Sequence, residues 1–106
     1  MFDTQINTTH FSLTSEFAIR NRLPTMCDDG DLVEEGGALM SYYSSPLDVR
    51  RHVARVVDKI LKGAKPRDLP VEQPTKFDLF VNLQTANALG VTISPSILAR
   101  ADQIIQ

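Results

Sequence analysis

Between Ser45 and Gly63 the apolar residues Val49, Val53, Val56, Val57 and Ile60 recur at the spacing of one helix face, with Arg50, Arg51, Arg55, Asp58, Lys59 and Lys62 on the others. The pattern predicts a long amphipathic helix. Ser45 offers an N-cap hydroxyl, Pro46 suits the first turn, Asp48 complements the positive end of the helix dipole, and Gly63 stops the helix. Prolines 66, 70 and 74 then forbid helix and favour an extended connector. It delivers the chain to Phe77-Asp78-Leu79-Phe80-Val81-Asn82, whose alternating apolar positions predict a strand.

The same reading extends to both sides. Leu13, Phe17 and Ala18 give one apolar side of a short helix over 12–22 that Ser12 or Thr14 could cap. Leu23-Pro24-Thr25-Met26-Cys27 reads as a short buried strand, its proline tolerated at a first position. Asp28-Asp29-Gly30 marks a turn that opens a short helix over 31–35, and Gly36-Gly37 ends it. Ala38 to Tyr43 is a second strand. After Asn82, Leu83, Ala86 and Leu89 line a short helix closed by Gly90, and Ser94-Pro95 starts a terminal helix with Ile97, Leu98, Ala101, Ile104 and Ile105 on its apolar face. Helices and strands alternate, which predicts an α/β fold: a partial doubly wound, mostly parallel sheet flanked by helices. Residues 1–10 read either as a disordered arm or as an added segment foreign to the domain, and residues 11–106 as a single α/β domain.

Length and charge narrow the options. A chain of 106 residues is one domain's worth, and a net charge of −2 creates no field that would gather nucleic acid. No apolar run reaches a membrane span, and Met1-Phe2-Asp3-Thr4-Gln5 lacks the basic segment and apolar core of a secretory signal. As written, the chain is expected to stay in the cytoplasm, so the Asn7-Thr8-Thr9 glycosylation pattern reads as a chance match. The single Cys27 cannot form an intrachain disulfide.

Catalytic and metal chemistry find little support. His10, His52 and Cys27 are isolated and lack ligand spacing, and Asp28-Asp29-Gly30-Asp31 lacks the later donors of a calcium loop, so neither metal nor cofactor is expected. His52 reads as a solvated surface residue. There is no Gly-x-Ser-x-Gly elbow, and the acids after Cys27 disfavour its thiolate. The chain is not expected to be an enzyme. Ligands of open parallel sheets bind outside the strands' carboxyl ends, and two such ends here are polar: Cys27-Asp28-Asp29 and Ser41-Tyr42-Tyr43-Ser44. Tyr42 and Tyr43 either contact a small organic ligand with ring and polar groups or merely cover the end of the sheet.

Several motifs carry a family resemblance. They are Arg22-Leu23-Pro24, Glu34-Glu35-Gly36-Gly37-Ala38-Leu39-Met40-Ser41-Tyr42, the run from Val57 to Pro66, the long run from Asp68 to Phe77, Asn82-Leu83-Gln84-Thr85-Ala86 and Ala88-Leu89-Gly90. With these, residues 11–105 resemble the C-terminal third of ABC-transporter substrate-binding proteins, the type 1 periplasmic-binding group that includes tryptophan/tyrosine uptake proteins. The resemblance implies two α/β lobes closing on a small solute such as an amino acid, a membrane permease as partner, and a periplasmic location. Ser41 and Tyr42 match the strand-end motif and carry over as cleft contacts. Asp28 and Tyr43 join them as candidate ligand-binding residues by position, although Cys27-Asp28 stands where relatives usually have Tyr-Gly and Tyr43 where Gly is usual. A sheet cut partway exposes an edge and apolar faces, so a homodimer or higher oligomer is expected. The alternative function is a small self-associating interaction or sensor-like domain that binds no transport solute.

Overall fold

The structure, a computed structural model, describes residues 10–106. The first nine residues of the expected arm, and the Asn7-Thr8-Thr9 pattern within them, lie outside the described residues. In chain order the elements are α1 (Phe11–Arg20), β1 (Met26–Cys27), α2 (Asp31–Glu34), β2 (Met40–Ser44), α3 (Pro46–Leu61), a 3-10 turn (Pro66–Asp68), β3 (Phe77–Asn82), α4 (Leu83–Leu89), α5 (Pro95–Leu98) and β4 (Gln103–Ile105). Among the described residues the chain divides into two compact units, one comprising residues 10–43 and 78–106, the other residues 44–77.

The first unit holds most of a four-stranded sheet in the order β1-β2-β3-β4. β1 runs parallel to β2 with Met26 opposite Met40 and Cys27 opposite Ser41, and β3 runs parallel to β4 with Val81 opposite Ile104. Between the two pairs the direction reverses. The Asn82 N–H donates to the Leu39 carbonyl at 2.9 Å, while the Ser45 N–H donates to the Lys76 carbonyl at 3.2 Å. Rising numbers on one strand thus meet falling numbers on the other. The sheet is therefore mixed and mostly parallel, an α/β arrangement as the alternation predicts, with one antiparallel seam that alternation does not reveal.

Apolar side chains gather on both faces of this sheet. Phe11, Cys27, Val33 and Ala38 form one cluster, with Leu32, Phe80 and Ile105 against it. Leu39, Ala86 and Leu89 form the other, with Ile19, Met40 and Ile93. Two polar side chains tie the first unit together. Asn82 accepts the Thr85 N–H at 3.0 Å, capping α4, and its Nδ2 donates to the Val33 carbonyl at 3.0 Å. Thr85 Oγ1 donates to the Gly37 carbonyl, also at 3.0 Å. Both residues are buried, so these bonds act where water offers no alternative partner.

α1 has His10 at its N-cap, so neither Ser12 nor Thr14 caps it, and the expected buried strand over 23–27 shrinks to Met26–Cys27 with Met26 exposed. Two further local expectations are corrected. The terminal helix stops at Leu98, and Gln103–Ile105 forms β4 instead. Asp102 decides this: its N–H donates to the Leu79 carbonyl at 2.9 Å, and its carboxylate accepts the Leu79 N–H at 2.8 Å. That two-way link lays the following Ile104-Ile105 alongside β3. The second correction is at Ser45, whose hydroxyl makes no capping bond to α3. Its backbone serves the helix start instead, the carbonyl accepting the Val49 N–H at 3.0 Å.

The second unit is built from α3 and the connector. α3 has the amphipathic pattern expected of it, yet none of its residues is buried. Within this unit a groove of about 520 Å³ is lined by Asp48, Val49, His52, Arg55, Glu72 and Lys76 among others. His52 lies 3.2 Å from the Glu72 carboxylate, which ties the helix to the connector and gives this histidine a partner.

Candidate functional site

β1 ends at Cys27, opposite Ser41 in the parallel register, while β2 runs on to Ser44. Thr25 fixes that register from the other end. Its hydroxyl accepts the Leu39 N–H at 3.0 Å, and its carbonyl accepts the Met40 N–H at 3.2 Å. Asp28 and Tyr42, the residues next in line, therefore emerge at the same edge of the sheet. Asp28 is exposed, and Tyr42 retains 53% of its accessible surface. Asp29 turns back to accept the Asp31 N–H at 3.0 Å, the short-range bond that opens α2.

The other two candidates sit differently. Ser41 is fully enclosed, and its hydroxyl has no hydrogen-bond partner among the described residues. Tyr43 packs within the first unit, its ring 5.6 Å from that of Phe80 at 69°, an edge-to-face contact. Gly30 makes room for it. A Cβ at Gly30 would stand 2.5 Å from the Tyr43 hydroxyl and 2.7 Å from Cε2 of Phe80. The structure thus brings Asp28 and Tyr42 together at the surface, with Ser41 enclosed and Tyr43 packed against α2 and β3.

The electrostatics of this sheet end are acidic. Burial raises the Tyr43 hydroxyl above its usual pKa, and the carboxylates of Asp78, Asp29, Asp31 and Glu34 push it the same way. Cys27 is shifted upward as well, chiefly by burial and further by Asp28 and Asp29, with a backbone hydrogen bond at Asp29 opposing them. Its thiol lies 3.2 Å from the Asp29 carbonyl. It is a protonated packing group, unsuited to nucleophilic attack.

Comparison with known proteins settles the family. Residues 1–105 match the family model described as ABC transporter substrate binding protein. The chain belongs to that family. Among solved structures it is similar to a conserved domain protein from Vibrio cholerae, with a TM-score of 0.82 and 28% identity over 92% of this chain and 33% of that one. It is also similar to an ABC domain from Streptococcus pneumoniae solved in complex with L-Trp, with a TM-score of 0.79 and 28% identity over 93% of this chain and 34% of that one. The ligand-free, open structure of a substrate binding protein with adhesive properties from Clostridium difficile shares the fold, at a TM-score of 0.65 and 21% identity over 96% of this chain and 34% of that one. No curated protein is a significant match. The chain spans about a third of the length of the solved structures it matches.

The residues that sequence reasoning missed are Asn82 and Thr85. An Asn at a strand end is a capping signal that could have found the first of them, whereas the helix that follows was read from Leu83, Ala86, Leu89 and Gly90. Their second bonds, to Val33 and Gly37, join positions 49 and 48 residues away and have no local trace.

Proposed function

We propose that this chain supplies part of the solute-binding component of a bacterial ABC uptake system. It is a non-catalytic module that contacts a small molecule such as an amino acid and, with the rest of the binding fold, presents it to a membrane permease outside the cytoplasm. The observation that carries the reading is the β1–β2 register, which sets Asp28, just past the carboxyl end of β1, beside Tyr42 on an exposed part of the sheet. In this reading the Tyr42 ring packs on the flat part of the solute, and Asp28 attracts its ammonium group. Ser41, enclosed behind them, shapes the strand end, and Tyr43 supports it from below through Phe80. The Streptococcus pneumoniae relative, solved with L-Trp, supports an amino acid as the class of solute.

Thermal unfolding of the chain in the presence of each common amino acid tests this. A ligand that prefers the native state at about 100 times its Kd adds roughly 2.7 kcal/mol, on the order of 10 °C for a domain of this size. An aromatic amino acid is expected to raise Tm, with the rise lost in Tyr42→Ala and reduced in Asp28→Asn. No rise with any amino acid, or a rise indifferent to both substitutions, would overturn the reading.

A further inference from the structure

We propose that the groove between α3 and the connector is a second binding site, one that takes a small organic acid by its carboxylate. The start of α3 supplies the anion pole. A helix of 16 residues carries a positive dipole end, and its first N–H groups find no partner within the helix. Pro46 has no N–H, and those of Leu47 and Asp48 form no hydrogen bond among the described residues. Ser45 shows that the place calls for a partner. It lines the groove with only 7% of its surface accessible, and its hydroxyl neither caps α3 nor meets another hydrogen-bond partner among the described residues. The fully enclosed hydroxyls without a partner are those of Ser15 and Ser41, so the Ser45 oxygen stays open to the groove. A buried hydroxyl left unpaired is costly, and a ligand that accepts its proton removes the cost.

Charge and size identify the ligand. Asp48 is spanned by two cations, Arg51 at 3.5 Å and Lys76 at 3.7 Å, so this corner of the groove keeps a net positive charge. Glu72 is engaged by His52 at 3.2 Å, while Arg55 lines the wall with no ion pair among the described residues. Cations therefore outnumber carboxylates here although the whole chain is net −2, which favours an anion. At about 520 Å³ the groove is far larger than an inorganic anion needs and falls in the range of small-molecule sites. Val49 and Pro74 add apolar surface to it. The ligand that fits has a carboxylate, receiving the Ser45 hydroxyl and the Leu47 and Asp48 N–H groups with Lys76 as counter-ion, and an apolar body against Val49 and Pro74. The groove shares no residue with the candidate solute site, so the two readings stand or fall separately.

Titration of the chain with hexanoate, followed by heteronuclear NMR of its backbone amides, tests the proposal. Saturable shifts are expected at Leu47 and Asp48, with a millimolar Kd that rises with added salt. Ser45→Ala and Lys76→Gln are each expected to weaken binding about tenfold, since each removes a partner of a charged group. Arg50→Gln, outside the groove, leaves it unchanged. Acetate, which lacks the apolar body, binds more weakly than hexanoate, and hexylamine, which lacks the carboxylate, does not bind. The same spectra show whether each variant is folded, and should Ser45→Ala not fold, Lys76→Gln decides alone, because its side chain is exposed. No saturable shift at either amide, equal binding of hexylamine, or wild-type affinity in the folded variants would overturn the proposal. Inorganic phosphate shifting these amides where hexanoate does not would overturn the organic-acid assignment.

Discussion

Two helices of this molecule invert the usual link between pattern and burial. α3, at 16 residues, has the most regular apolar stripe in the chain and buries nothing. α4, at seven residues, shows only Leu83, Ala86 and Leu89 in register and buries Thr85, Ala86 and Leu89. The difference is in what surrounds them. α4 starts from β3 with its cap fixed by Asn82 and lies over an apolar cluster that includes Leu39, whereas α3 shares its unit only with a short turn and an extended connector. Periodicity states which face is ready to be covered, and topology decides whether a cover is at hand.

The sharpest way to break this contrast is a pair of truncations. Val81→Ala, at a fully buried position, is expected to cost about 2 kcal/mol or more by urea unfolding, while Val53→Ala in α3 stays within about 0.5 kcal/mol. Equal costs would mean that β3 and α3 belong to one cooperative core. Next in size, Gly30→Ala drives a methyl group against the Tyr43 hydroxyl and the Phe80 ring and is expected to cost about 1–3 kcal/mol. Adding Tyr43→Phe removes the nearest atom and should restore part of that loss. Independent, additive effects would show that the two sites do not touch.

The smallest effect is electrostatic. Because Tyr43 titrates above its usual range in the folded state, its contribution to stability is complete below the unfolded pKa near 10 and is lost as pH rises through the folded value. The wild type should therefore lose stability more steeply than Tyr43→Phe at alkaline pH, read from urea midpoints. Parallel curves for the two proteins would leave the acidic surround without influence on Tyr43.

Most of the element order was legible in the sequence because each segment carried its own punctuation. Pro46 and Gly63 bracket α3, the prolines between 66 and 74 mark the connector, and Gly90, in the left-handed region at φ 71°, closes α4. What was illegible depended on distant partners. Ile104 and Ile105 fit a helix face as well as a strand, and only Asp102 reaching Leu79 chooses between them. The antiparallel seam is set by where the connector returns, which alternation of helix and strand does not encode. At the candidate site, position along the strands pointed to Asp28 and Tyr42. Nothing local foretold that Ser41 would be enclosed or that Tyr43 would turn toward Gly30.

The bonds from Asn82 to Val33 and from Thr85 to Gly37 bear on how the chain folds. They join segments 49 and 48 residues apart, so the first unit cannot close until the whole of residues 44–77 has been made and bridged. Such non-local closure slows folding, since loop entropy is lost before the contacts compensate for it. The same entropy grows only with the logarithm of loop length, about 0.6 kcal/mol for each doubling. An excursion of this kind can lengthen, shorten or exchange its helix over evolutionary time at little thermodynamic penalty to the sheet that launches it.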